Sequence, residues 1–224
     1  MGDKNHKISL AGDLGSGKST VAKLLSKKLN VLYLDTGAMY RACAVKARRL
    51  GVDANNEAEV NALAEKVCVT VGYADGEQIT YLDGEDVSKT IRENEISLLA
   101  SKISAYPSIR KKMVEAQREV AKTNDCILDG RDVGTNVLPN AEYKFFVTAS
   151  IDVRAERRRK ELTARGEKVD FETLKKEMEQ RDYQDTHREI SPLKQAKGAV
   201  FIDTSELTID EVLDKILTII KGEK

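Results

Sequence analysis

Gly12, Asp13, Leu14, Gly15, Ser16, Gly17, Lys18 and Ser19 spell the pattern G-x-x-x-x-G-K-[ST], and the octapeptide lies between an apolar run and a helical pattern. Ile8, Ser9, Leu10 and Ala11 before it form a short buried-type strand, while Val21, Leu24, Leu25 and Leu29 after it fall at helical spacing. A strand, a glycine turn and a helix in that order cradle a phosphate. The glycines let successive backbone N–H groups turn inward, Lys18 adds a point charge, and the helix N-terminus contributes its dipole. Thr20 belongs to the same first turn, and the Ser19 hydroxyl is the expected ligand of Mg²⁺.

The rest of the chain repeats the alternation. Residues 31–34 are a second apolar run, closed by Asp35, Thr36 and Gly37, and residues 38–50 return to a helical composition. Runs at 126–128, 143–148 and 199–202 supply three more candidate strands, each followed by a polar turn and a helical stretch. Five such runs predict a five-stranded parallel sheet with helices on both faces, and the phosphate loop after the first of them makes the expected fold class α/β, a three-layer sandwich of the P-loop NTPase type. Between residues 50 and 126 the pattern changes: 67–73 and 78–82 are rich in β-formers, and Asp75-Gly76 between them signals a hairpin. The expectation is one domain spanning 1–224, with a small antiparallel β lobe inserted at 57–95 and a short, charged helical lid at 154–170 that stops at Gly166. Thr208 and Glu211 stand in capping-box spacing before a C-terminal amphipathic helix carrying Val212, Ile216 and Ile219.

Composition narrows the partners. Lys plus Arg and Asp plus Glu both number 37, so no overall field steers the chain towards nucleic acid or an anionic membrane. Cys43, Cys68 and Cys126 are too few and too far apart for a disulfide framework or a metal site, which suits a reducing, cytoplasmic setting. No uncharged apolar run approaches the roughly 18 residues of a spanning helix. Residues 1–7 lack the apolar core of a secretory signal and read as a loose lead-in, and Met1-Gly2 fails as a myristoylation signal because His6 stands where Ser or Thr is required. His6 and His187 belong to no ligand constellation.

A phosphate loop alone does not separate kinases from GTPases or motor ATPases; the remaining motifs must. No Asn-Lys-x-Asp element appears, which demotes a guanine-specific switch. Residues 34–41, Leu-Asp-Thr-Gly-Ala-Met-Tyr-Arg, follow the second strand and are expected in the crevice at the C-terminal edge of the sheet. Together with the phosphate loop, Ser101-x-Ile-Ser-Ala-x-Pro-x-Ile-Arg110, Asp129-Gly-Arg131-Asp132-Val-Gly-Thr135 and Arg181-Asp182-x-x-Asp185-x-x-Arg188, they resemble the bacterial cytidylate kinase family in order and spacing across residues 7–221.

The resemblance implies phosphoryl transfer from ATP to CMP or dCMP by a monomer. It implies catalytic roles for Lys18, Arg131 and Arg188 and for the lid arginines Arg154 and Arg158, with Arg157 on the same arm. ATP would be held by residues 12–20. Arg41, Arg131 and Arg188 match positions that hold the CMP phosphate, for which planar forks suit better than ammonium groups. Ser101, Arg110 and Asp132 match positions that read the base; an acid accepts from the cytosine amino group at N4, where uracil offers an acceptor instead. Arg181 and Asp185 match positions around the sugar, and Thr36 and Tyr40 complete the acceptor set. Asp129 either holds the water shell of Mg²⁺ or orients Arg131. The family often carries a small neutral pair, such as Pro-Ala, where this chain has Asp13-Leu14. Asp13 therefore either turns to solvent or faces the triphosphate and weakens ATP binding. For the arginines between 154 and 159 the alternative is an exposed helix face. Rival functions are another small-acceptor kinase, such as a UMP/CMP, adenylate or shikimate kinase, and a nucleic-acid-binding protein using the basic stretch at 154–165.

Overall fold

The computed structural model describes residues 6–222. The reading of the N-terminus as a loose lead-in, and that of Met1-Gly2, lies outside the described residues for 1–5. Lys7 is not part of a lead-in: it opens β1 (Lys7–Gly12), and His6 Nδ1 lies 2.8 Å from Glu142 Oε2. The chain continues through α1 (Lys18–Leu29), β2 (Leu32–Asp35), α2 (Thr36–Leu50) and α3 (Glu57–Lys66). The strands β3 (Val69–Ala74), β4 (Glu77–Leu82) and β5 (Glu85–Asp86) and the helices α4 (Asn94–Ile103) and α5 (Pro107–Thr123) follow. Last come β6 (Cys126–Gly130), β7 (Tyr143–Thr148), α6 (Ile151–Ala164), α7 (Phe171–His187), β8 (Val200–Asp203) and α8 (Ile209–Lys221).

The expected α/β fold is present. Its five-stranded sheet has the order β2-β6-β1-β7-β8, with β1/β7 and β7/β8 paired in parallel, and β3-β4-β5 form a second, antiparallel sheet. Every residue of β6 is buried, as a strand covered on both faces demands. The chain divides into two compact units, residues 32–126 and the segments before and after them.

In the unit that contains the phosphate loop, Ile8, Leu10, Leu25, Phe145 and Ile216 are buried, each contributing about 1.5–3 kcal/mol. α8 packs against α1, and its first turn is closed by the predicted capping box: Glu211 N–H donates to Thr208 Oγ1 while Thr208 N–H donates to Glu211 Oε2 at 2.8 Å. α6 and α7 pack on each other around Ala155, Leu162, Leu174 and Met178. Segment 154–170 spans most of α6, turns at Gly166 (φ +85°) and ends at Asp170, whose carboxylate accepts from Thr173 N–H and starts α7. In the other unit, Met39, Cys43, Ile96, Ile103, Ile109 and Met113 on α2, α4 and α5 are buried. The Asp75-Gly76 turn has φ of 52° and 74°, the pair of positive values a two-residue type I′ hairpin needs.

One boundary is corrected. The helix after the second strand begins at Thr36 rather than residue 38, because Asp35 Oδ1 accepts from Ala38 N–H at 2.9 Å and draws Thr36 and Gly37 into the first turn. The helical stretch expected after the run at 126–128 is a five-residue π turn, Val133–Val137, in which Asn136 N–H and Val137 N–H both donate to the Asp132 carbonyl.

Gly12 has φ +150°, and a Cβ there would stand 1.9 Å from the Val147 carbonyl oxygen on β7; Gly51, which ends α2, has φ +65° with open space around it. Urea unfolding should show Gly12→Ala losing about 3 kcal/mol or failing to fold, and Gly51→Ala losing only about 1 kcal/mol, the cost of the left-handed backbone alone.

Candidate active site

The phosphate loop is held by its carbonyls. Arg131 Nη1 donates to Gly12 O at 3.0 Å, Arg154 Nη1 to Leu14 O at 3.3 Å, and Thr204 Oγ1 to Ser16 O at 3.0 Å. The Asp13 carbonyl accepts from Ser16 Oγ and from Lys18 Nζ, both at 2.9 Å. Gly15 and Gly17 adopt φ of +80° and +83°, the left-handed region where a side chain would strain the loop. Lys18 is buried, whereas Ser19 and Thr20 are exposed at the start of α1. The Asp13 side chain is half-buried, and its carboxylate accepts a hydrogen bond from the Thr148 hydroxyl at the end of β7.

The second half of this unit gathers arginines and acids. Arg131, just after β6, donates through Nε to Asp185 Oδ2 at 2.8 Å. Burial lowers the pKa of its guanidinium, but Asp185, Asp129 and Asp13 outweigh burial and hold it above the ordinary arginine value. Arg188 Nε donates to Ser191 O at 2.6 Å, its Nη1 lies 3.6 Å from Asp185 Oδ1, and its Nη2 lies 3.9 Å from Asp132 Oδ1. Asp132 also accepts from Asn136 Nδ2 at 3.1 Å. Burial opposes the Asp185 charge, yet Arg131, Arg181 and Arg188 overcome it and hold the carboxyl below the usual carboxylate range. Five of the predicted residues, Arg131, Asp132, Arg181, Asp185 and Arg188, thus share one neighbourhood, with Asp129 buried beside them.

Arg154 is 7% exposed, which removes the exposed-face alternative for it. Its Nε donates to Ala149 O at 2.8 Å and its Nη1 to Asp182 Oδ2 at 2.6 Å. Burial pushes the Asp182 carboxyl above its usual range, and Arg154 only partly offsets this. Arg157 grips Thr204 through Oγ1 at 3.0 Å and through the carbonyl at 2.7 Å, while Arg158 pairs with Glu161 one turn along α6. Thr148, Asp182 and Thr204 are further contributors to this neighbourhood. Their partners lie up to 188 residues away, so no local pattern signals them; Asp182 alone stood inside a quoted motif.

In residues 32–126 the predicted acceptor residues form two groups. Arg41 Nη2 donates to Asp35 Oδ2 at 2.8 Å, and Asp35 N–H donates to Gln78 Oε1 of β4 at 2.7 Å, so the hairpin fixes the turn that carries Thr36, Tyr40 and Arg41. Arg110, buried on α5, donates to Ser104 O at 3.0 Å, and its guanidinium lies over the Tyr40 ring, 5.4 Å from the centroid. Ser101 is half-buried on α4, and its carbonyl accepts from Ser104 Oγ at 2.9 Å. Gln78 is the contributor that the sequence did not mark, because a polar residue on a hairpin strand reads as its solvent face.

A glycine loop between the first strand and first helix of a parallel sheet, with guanidinium groups gathered behind it, defines an α/β fold of the P-loop type. An uncharacterised protein from Eubacterium ventriosum shares it with a TM-score of 0.53 at 14% identity, covering 96% of this chain and 98% of that one. Shikimate kinase from Bacteroides thetaiotaomicron does so at 0.51 and 13%, with the same coverage. Residues 8–222 match the cytidylate kinase family model. The chain is 47% identical over 218 residues to the cytidylate kinase of Lactobacillus gasseri, covering 97% of this chain and 95% of that one, and 43% identical to that of Leuconostoc mesenteroides, covering 97% of each. The chain belongs to the cytidylate kinase family, and it is an enzyme that phosphorylates a nucleoside monophosphate.

Because Asp185 is more acidic folded than unfolded, its contribution to stability is complete above the unfolded carboxylate pKa of about 3.9 and is lost as pH falls through the lower folded value. Asp185→Asn should therefore cost about 3 kcal/mol at pH 7 by leaving Arg131 without its carboxylate, and the gap from the wild type should narrow in urea titrations taken below about pH 4.

Proposed function

We propose that the enzyme transfers the γ-phosphoryl group of ATP to CMP or dCMP, giving ADP and CDP or dCDP. The observation that carries this reading is the combination of a phosphate loop whose carbonyls are turned onto Arg131, Arg154 and Thr204 with an acid–arginine cluster at Asp132, Asp185 and Arg188. With its carbonyls occupied, the loop is left to offer N–H groups and Lys18 to the ATP phosphates.

The acceptor needs no base, since a CMP phosphate oxygen is already ionised near neutral pH. That oxygen forms a new bond to the γ-phosphorus, the bond from that phosphorus to the β–γ bridging oxygen breaks, and ADP leaves with the electron pair. What the protein must supply is in-line placement and compensating charge. In this reading Arg41, Arg131 and Arg188 hold the acceptor phosphate, and each guanidinium is oriented by a carboxylate: Asp35 for the first, Asp185 for the other two. Asp132 accepts from the cytosine amino group, with Ser101 and Arg110 completing base recognition. Arg181 and Asp185 face the sugar, Thr36 and Tyr40 line the acceptor, and Arg154 and Arg158 lie on the lid, residues 154–170.

Mg²⁺ fits this site through the Ser19 hydroxyl. No cluster of three or more His, Cys, Asp or Glu able to cage a metal occurs among the described residues, and magnesium on a nucleotide takes one or two protein oxygens beside phosphate and water. Bound there, it would neutralise charge on the transferring phosphoryl group. No described helix is long and apolar enough to cross a membrane. With Cys43, Cys68 and Cys126 all free, we place the enzyme in the cytoplasm, and the family resemblance alone makes it a monomer.

The test is ADP release from ATP and Mg²⁺ with CMP, dCMP, UMP, AMP and shikimate in turn. Turnover should be confined largely to CMP and dCMP; faster turnover of any other acceptor would overturn the assignment. Lys18→Ala should lower kcat/KM by about a hundredfold or more. Asp132→Ala should cut the preference for CMP over UMP by about tenfold or more while leaving the KM for ATP nearly unchanged.

A further inference from the structure

Asp13 puts a carboxylate inside a loop built to receive a polyanion, which calls for something to restrain it. Its Oδ2 accepts the hydroxyl hydrogen of Thr148, the last residue of β7. Thr148 is held in turn through its backbone: its carbonyl accepts from Thr204 N–H at 2.8 Å, Thr204 Oγ1 stands 3.0 Å from the same carbonyl, and Thr204 is clamped by Arg157. Among the charged groups near Asp13, Arg131 attracts the carboxylate and Asp182 repels it, and Lys18, whose ammonium donates to the Asp13 carbonyl at 2.9 Å, attracts it as well. Loop and strand are in close backbone contact at this point, since Gly12 and Val147 approach too closely for a side chain.

We propose that Thr148 is a positioning residue for ATP: its hydroxyl ties the Asp13 carboxylate to the end of β7, and when that tie is cut the freed acid turns on the triphosphate and weakens nucleotide binding. The inference rests on the ATP-donor reading. It differs from a packing role in one respect, because the damage from losing the hydroxyl must depend on the negative charge at Asp13. Thr148→Val keeps the branched shape and the backbone bonds to Thr204 and removes only the donor. Asp13→Asn keeps an acceptor oxygen and removes only the charge.

ATP dissociation constants measured by calorimetry, alongside KM for ATP and kcat, decide the matter across wild type, T148V, D13N and the double variant, with thermal melts confirming that each is folded. T148V should weaken ATP binding by roughly fivefold, the order expected of one charge–charge contact near a protein surface, with a much smaller change in kcat. D13N should bind ATP at least as tightly as the wild type, and adding T148V to it should change binding by less than about twofold. An equal loss on T148V in both backgrounds would make Thr148 a packing residue and overturn the proposal, as would an unchanged dissociation constant in T148V alone. If the wild type binds ATP but phosphorylates another acceptor, the acceptor assignment falls and the role of Thr148 is still decided by the binding constants. If the wild type does not bind ATP, both fall.

Discussion

A phosphate loop works only if its carbonyl oxygens face something other than the anion, and in this protein each of the critical carbonyls has a donor. Those of Gly12, Leu14 and Ser16 are taken by Arg131, Arg154 and Thr204, which come from the ends of β6 and β8 and from the first turn of α6. The rest of that unit is organised to deliver these three donors. β1 and β7 approach so closely that only glycine fits at position 12, α6 starts where Arg154 can enter beneath the loop, and β8 ends where Thr204 meets both Thr148 and Ser16. A loop anchored through its carbonyls needs no reorganisation to present its amides, which is the sense in which electrostatic stabilisation is built in before a ligand arrives.

The arginines behind the loop carry two duties at once. Arg131 and Arg154 both brace backbone and both answer to acids on α7, Asp185 and Asp182. The two acids experience different surroundings. Three guanidinium groups around Asp185 overcome its burial, while Arg154 and Arg131 together do not do so for Asp182, which Asp13 also repels. A guanidinium whose plane is set by a carboxylate loses less freedom when it meets a phosphate, and planar forks rather than ammonium groups occupy every such position.

Much of this was legible in the sequence because it is local. The phosphate loop, the strand at Tyr143–Thr148, the Asp75-Gly76 hairpin and the Thr208–Glu211 capping box each follow from residues a few positions apart, and the structure has all four. The motif residues Arg131, Asp132, Asp185 and Arg188 read as one group and lie together. What escaped is non-local or runs against composition. β5 is two acidic residues that only pairing with β4 makes a strand, and the π turn after β6 depends on the Asp132 carbonyl taking two N–H groups. Arg154 sits in a segment charged enough to read as a solvated face, yet it is among the most buried arginines of the chain; Thr148, Gln78 and Thr204 act through partners far away in sequence.

The hairpin β3–β4 is fastened to α2 and β2 in two chemically different ways. At one end the neutral amide of Gln78 meets the backbone of Asp35. At the other, the turn after β4 is held by ion pairs from α2: Lys46 to Asp83 at 2.7 Å, and Arg49 to both carboxylate oxygens of Glu85 at 2.7 and 2.8 Å. Dissolved salt screens the exposed pairs and leaves the amide contact untouched, since the Debye length shrinks from about 10 Å at 0.1 M to about 3 Å at 1 M. Ionic strength therefore acts on this element as a one-sided release: concentrated electrolyte slackens the end near Asp83 and Glu85, while the end that orients Arg41 keeps its hold.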